Sequence, residues 1–194
     1  MNTYIAQLKN KQWMIGFLFV LLVNTFTSLN AQERPILEMV SYSSKLLKPD
    51  LTPNVRIFAN GGIEVYRPMY MKKSGFFSTN LNDNELNEVI KLMDSLEKFD
   101  VIKAEEDYFN ADLENKRLTG QLYYTSETVI TQFKINRVGD SLSDEKLILA
   151  ESARDKSNRF TQLSDWKVFA EAEYLMMKFM NKNNLIRIGD AKDL

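Results

Sequence analysis

The chain contains no cysteine and no histidine. Without disulfides, any fold must be held by packing, hydrogen bonds and ion pairs alone. The two absences together exclude thiolate or imidazole zinc sites, haem ligation through histidine, and the Ser-His-Asp and Cys-His catalytic arrangements. An excess of one charge is lacking too. The 25 basic and 26 acidic residues are mixed along the chain, which gives no reason to expect nucleic acid as a partner. No repeat, low-complexity tract or obvious linker divides the chain.

An uncharged apolar run from Trp13 to Val23 follows Lys9 and Lys11 and leads into a polar tail ending Leu29-Asn30-Ala31. This basic, apolar, then small-residue order is that of a secretory signal. The run is too short to cross a bilayer comfortably, since a spanning helix needs roughly 20 residues. Cleavage after Ala31 is expected, although Leu29 is larger than the usual residue at its place. The alternative is an uncleaved anchor, whose apolar run would have to extend to Phe26 across Asn24 and Thr25. With no cysteine after the run, lipidation of an N-terminal cysteine is excluded. Residues 1–31 are therefore read as a cleaved signal peptide and 32–194 as one domain of 163 residues, long enough for a core. Loss of Lys9 and Lys11 takes the formal charge from −1 to −3.

The segment Leu81–Phe99 has the clearest local signals. Asn82 and Glu85 fit the N-cap and N3 places of a capping box, with Leu81 and Leu86 at the staple positions. Leu86, Val89, Ile90, Met93 and Leu96 then recur at helical spacing. Before it, Ile36–Ser43 reads as a strand and Lys45–Pro53, with Pro49 and Pro53, as a connection. Val55–Ala59 and Ile63–Arg67 flank Asn60-Gly61-Gly62, a hairpin signal. A three-residue loop, with Gly62 as the bulge residue, pairs Ala59 with Ile63, Ile57 with Val65 and Val55 with Arg67. It gathers the apolar residues on one face and leaves Arg56, Phe58, Glu64 and Tyr66 on the other. Pro68–Lys73 is turn-like and Gly75–Thr79 a short strand.

After the helix, Asp100–Asn115 reads as irregular with a short extended piece, and Arg117–Thr125 with Thr128–Asn136 as a second hairpin setting Gly120 against Phe133 around Ser126-Glu127. Ser143 is placed as the cap of a helix through Ala153, and Ser164 of another through Met180 or Asn181. Trp166, Phe169, Ala170, Met176, Met177 and Met180 make the buried face of the latter, and Leu185–Ile188 adds a closing strand. This order predicts an α+β domain, an antiparallel sheet with helices packed on one face.

The run Val55-Arg-Ile-Phe-Ala-Asn-Gly-Gly-Ile-Glu-Val65, then Lys73-Ser-Gly-Phe-Phe, then Leu81-Asn-Asp-Asn-Glu-Leu86 before an apolar helix, resembles a type of small exported bacterial domain of unknown function. The resemblance covers about residues 54–136, rests on structural positions, and implies a fold and a location. It transfers no catalytic residue.

What remains for chemistry is carboxylate pairs, lysine-activated serines and oxygen-bound cations. Ser-x-x-Lys occurs at Ser95/Lys98, Ser143/Lys146 and Ser164/Lys167, three times in a short chain, so the spacing carries little meaning. Lys73-Ser74-Gly75 precedes all of them, and the Ser-Asp-Asn element of penicillin-recognising enzymes is missing. Asn80, Asn82 and Asn84 alternate like a calcium loop, but Glu85 stands where glycine is needed and Lys91 where glutamate is. Glu105, Glu106 and Asp107, with Asp112 and Glu114, could hold a cation or supply the two carboxylates of glycoside hydrolysis; the competing reading is a solvated loop. Glu173 falls in the middle of an apolar stripe, where desolvation would prepare it for proton transfer or a cationic ligand, unless the stripe is partly exposed or a partner such as Arg159 or Arg187 meets it. Tyr66, Tyr70, Tyr108, Tyr123 and Phe58 are candidates for an exposed aromatic surface, or for ordinary cross-strand pairs.

Two functions compete. One is a non-enzymatic exported module, periplasmic or extracellular, that binds an envelope protein or carbohydrate through the outer sheet face and Pro68–Lys73. The other is a carboxylate-dependent hydrolase using residues 105–114 or Glu173. A structural accessory domain without ligand is a third reading, and no cofactor is expected in any of them. The membrane enters only through the signal peptide, if uncleaved. N-terminal sequencing of the protein recovered from a cell envelope is expected to begin at Gln32; a start at Met1 would establish the anchor instead.

Overall fold

The computed structural model describes residues 34–46, 48–120, 128–137 and 145–191. The signal segment, Tyr123, the Ser126-Glu127 loop and Ser143 lie outside the described residues. The strands are β1 (Pro35–Ser43), β2 (Val55–Phe58), β3 (Gly62–Arg67), β4 (Gly75–Asn80), β5 (Val129–Ile135), β6 (Lys146–Glu151) and β7 (Ile186–Gly189). The helices are α1 (Asp83–Glu97), α2 (Val101–Thr119), α3 (Ala153–Arg159) and α4 (Ser164–Met180). The strands form one sheet in the order β6-β5-β1-β2-β3-β4-β7, with every neighbouring pair antiparallel. The α+β architecture read from the sequence is the one observed.

The alternation of the strands sets the inner face. Leu37, Met39, Val55, Ile57, Ile63, Val65, Phe133, Ile135 and Ile148 all point into one core and are buried. Helix α4 covers it with Trp166, Phe169, Ala172, Met176 and Phe179. Phe169 meets Phe133 edge-on at 5.1 Å between ring centroids, and Phe99 packs on both Phe169 and Trp166. Arg67 donates from Nη2 to the carbonyl of Met180 at 2.6 Å, closing the end of α4 against β3.

Helix α1 begins as expected. Glu85 N–H donates to Asn82 Oδ1 at 3.0 Å and Asn82 N–H to Glu85 Oε2 at 3.1 Å, while Lys182 binds the same carboxylate at 2.5 Å. Its buried residues are Val89, Met93 and Leu96; Ile90 is 43 % exposed. The stripe expected to bury Ile90 is only partly used: Leu86 and Leu92 pack half-buried against the core while Ile90 faces out.

The first hairpin has a three-residue loop, but it is Ala59-Asn60-Gly61, and Ile57 pairs with Ile63 and Val55 with Val65. Gly61, not Gly62, takes the positive φ of 83°. The register differs from expectation by two residues, and a shift of two leaves every side chain on its own face. The inner and outer sets are therefore those read from the sequence.

Three segments differ outright. Asp100–Asn115 is not irregular: Asp100 Oδ1 accepts from Ile102 N–H at 3.0 Å and Lys103 N–H at 3.1 Å, opening α2, and Gly120 at φ 68° ends it. The supposed second hairpin fails because residues 117–119 belong to that helix and both edges of β5 are occupied, by β1 and β6. Phe133 faces Met39 and Ile148 instead of Gly120. The helix expected through Ala153 is strand β6, whose Ile148 and Ala150 point inward. Ser164 opens α4 as its first helical residue, without capping it. Ala170 and Met180 are half-buried and Met177 is 37 % exposed, so the inner stripe is displaced toward Ala172 and Phe179.

The packing of α1 gives a direct test. Leu96→Ala, at a fully buried position, is expected to cost about 2–5 kcal/mol. Ile90→Ala should stay within about 0.5 kcal/mol of wild type. Urea unfolding of both variants reads the contrast.

Candidate functional site

The acids of residues 105–114 are spread along α2 and are largely engaged. Glu105 accepts from Lys156 at 2.5 Å, Asp112 pairs with Arg159 and with Lys116, and Glu114 pairs with Arg117 at 2.7 Å. Arg159 also donates to the hydroxyl of Tyr108 at 3.0 Å, and the Tyr108 ring packs edge-on against Phe160. Glu105, Tyr108 and Asp112 thus tie α2 to α3, while Glu106 and Asp107 are exposed on the helix surface. Sequence reasoning missed this role because it placed neither helix. Among the described residues, no group of acids is arranged to hold a metal ion.

Glu173 is different. It is 4 % exposed, on the inner stripe of α4, with Arg154 Nε donating to Oε2 at 3.2 Å and the Thr131 hydroxyl also hydrogen-bonded to it. Burial pushes its pKa up, and the hydrogen bond from Thr131 and the charge of Arg154 offset this only in part. The carboxyl lines an open pocket of about 220 Å³, shared with Val129, Ser152, Ala153, Arg154, Asp155 and Asn158. The pocket sits where β5 begins, β6 ends and α3 starts. Ser152, between β6 and α3, has φ 52° and ψ 38°, a left-handed conformation that costs a non-glycine residue energy. Its hydroxyl is buried and without a hydrogen-bond partner among the described residues.

The expected partners of Glu173 are elsewhere. Arg159 goes to Asp112 and Tyr108, and Arg187 to Asp190 and the Ser74 carbonyl. Arg154 and Ser152 were not foreseen, because both follow a strand that was read as helix. Chemically the pocket offers a buried carboxyl, a guanidinium and a hydroxyl, a set suited to hydrogen-bonding a small polar molecule.

The aromatic residues do not form one surface. Tyr66 is buried, contrary to its placement as exposed: its ring stacks on Phe76 at 4.9 Å and its hydroxyl donates to Asp50 Oδ2 at 2.7 Å. That hydrogen bond pushes the Tyr66 phenol up to about 12. Burial disfavours the Asp50 carboxylate, yet the bonds from Thr52 and Tyr66 outweigh it and hold its pKa below the ordinary value. The β1–β2 connection therefore reaches the outer face at Tyr66. Phe58 and Tyr108 are half-buried. Elsewhere the outer face carries charge: Arg56 bridges Glu38 at 3.3 Å and Glu64 at 3.4 Å, and Lys134 reaches Glu145 at 2.9 Å. Of the described candidates, Tyr70 is the exposed one, at 80 %, between Met69 at 64 % and Met71 at 39 %.

Set against family models, curated proteins and solved structures, the chain matches none. Among the described residues, no helix is long and apolar enough to cross a membrane.

Because burial raises the folded-state pKa of Glu173 above its ordinary 4.5, its contribution to stability is fully present at acid pH and is lost as pH rises through the raised value. The stability difference between wild type and Glu173→Gln should therefore move in favour of the variant from pH 4.5 to neutrality. Urea unfolding across that range checks it, and a difference independent of pH would remove Glu173 as a perturbed acid.

Proposed function

We propose that this chain is an exported envelope protein working as a non-enzymatic binding module, and that it engages an envelope component with the end of the sheet carrying Pro68–Lys73. Export is supported by the signal-type N-terminus and by the resemblance to small exported bacterial domains. The observation that carries the binding role is the succession Met69, Tyr70 and Met71, all exposed on one loop. Single exposed apolar residues are ordinary, but three in sequence on a hydrogen-bonded turn, Met71 N–H to the Pro68 carbonyl at 2.9 Å, form a contiguous contact surface. The outer face was expected to share this role, and its charge lattice and covered Tyr66 favour the loop instead.

A second reading, the carboxylate-dependent hydrolase, is favoured by one feature: Glu173 and Asp155 line the same pocket. Against it stand the engagement of Glu173 by Arg154 and Thr131, and the dispersal of the 105–114 acids along a helix, with Glu105, Asp112 and Glu114 in ion pairs.

A chain without cysteine allows a specific thiol test. Tyr70→Cys in the full chain is expected to react severalfold more slowly with a water-soluble maleimide when cell envelope is present. Glu88→Cys, exposed on α1, should react at the same rate with and without envelope. Equal reactivity of Tyr70→Cys in both conditions would contradict the proposed surface.

A further inference from the structure

We infer that the surface met by this end of the sheet is an anionic lipid surface, on which the segments around Leu51 and Met69–Lys73 rest together. The inference rests on the binding-module reading above and names what is bound. The topology brings the two segments to one place: β3 ends and β4 begins at the Arg67–Gly75 pair, and Asp50 of the β1–β2 connection accepts the hydrogen bond of Tyr66, beside Tyr70. Leu51, next to Asp50 in the chain, is likewise exposed, at 58 %.

Lys72 and Lys73 follow Met71 in the loop and Lys48 precedes Asp50 in the β1–β2 connection; all three are exposed and none is in an ion pair among the described residues. The carboxylate within the patch, Asp50, is engaged by Tyr66 and Thr52. Protein contact surfaces favour arginine and are depleted in lysine, whereas the basic residues of segments 48–51 and 69–73 are Lys48, Lys72 and Lys73; the neighbouring Arg187, which donates to the Ser74 carbonyl, is paired with Asp190. Methionine and leucine tips, a tyrosine, and flexible ammonium groups in the same segments suit the boundary between headgroups and acyl chains. There the apolar ends can leave water, the phenol can sit at headgroup level and the ammonium groups can meet lipid phosphates. Contact of this kind lies on the membrane and spans nothing.

The test places an environment-sensitive nitrobenzoxadiazole label on Tyr70→Cys in the full chain, with Glu88→Cys labelled as the control. On vesicles of equimolar phosphatidylglycerol and phosphatidylcholine, the label at position 70 should brighten and shift to the blue, and the label at 88 should not. On phosphatidylcholine alone, the response at 70 should be largely lost. Adding Lys48→Gln, Lys72→Gln and Lys73→Gln should weaken the response on anionic vesicles on the order of 100-fold in lipid concentration, the combined effect of three basic residues near a charged leaflet. No response on anionic vesicles, with maleimide protection by envelope retained, would overturn the lipid inference and leave the binding module standing with another partner. An equal response on neutral vesicles, or at position 88, would also overturn it. Loss of both vesicle response and envelope protection would end the inference and the module reading together.

Discussion

Everything in this fold depends on one helix lying across one sheet. The inner stripe of α4, from Trp166 through Phe169, Ala172 and Met176 to Phe179, is fully buried against strands whose own inward residues are Leu37, Ile57, Phe133 and Ile148. Each large side chain taken out of water there contributes about 1.5–3 kcal/mol. In a chain that has no disulfide to fall back on, that contact is the principal source of stability. Helix α1 then needs only a narrow seam, which is why Val89, Met93 and Leu96 suffice and Ile90 can face water.

The same contact produces the pocket. Glu173 lies on the stripe between Phe169 and Met176, so placing α4 on the sheet carries a carboxyl into the core whether or not it has a function. Burying a charge without partners is expensive, and the fold answers with Thr131 from β5 and Arg154 from α3. A second tier of ion pairs, Glu105 with Lys156 and Asp112 with Arg159, fixes α2 beside α3. Of the acids that look like a cluster in one dimension, Glu105 and Asp112 link two helices, while Glu106 and Asp107 face outward.

Candidate site and proposed contact surface share one end of the sheet. Register places the start of β5 and the end of β6 there through Ile130 opposite Glu151, with Ser43 of β1 opposite Val129. The β3–β4 loop emerges at the same end, beyond Arg67 opposite Gly75. One end therefore bears a polar pocket and an apolar patch with exposed lysines in the same segments, while the outer face between the ends carries ion pairs. The patch is the part that an extended surface could reach, since it is made of loop tips rather than of side chains held between strands.

Local rules were sufficient wherever a residue's neighbours in sequence are also its partners in space. The capping box of Asn82 and Glu85, the presence of a glycine hairpin and the alternation in β2 and β3 could be read from the chain, because each depends on spacing of a few residues, whereas the exact turn register and whether Glu173 is buried could not. The long helix α2 had comparable signals, Asp100 at its start and Gly120 at its end, and the density of acids between them masked its narrow stripe of Val101, Ala104 and Tyr108. What only the tertiary structure decided is which periodic segment pairs with which: that β5 sits between β1 and β6, that Arg154 and not Arg159 reaches Glu173, and that Asp50 folds over to cover Tyr66 while Tyr70 is left in water. Those outcomes depend on contacts between residues far apart in the chain, whose energies are set by which surfaces meet in the folded chain and are absent from any window of sequence.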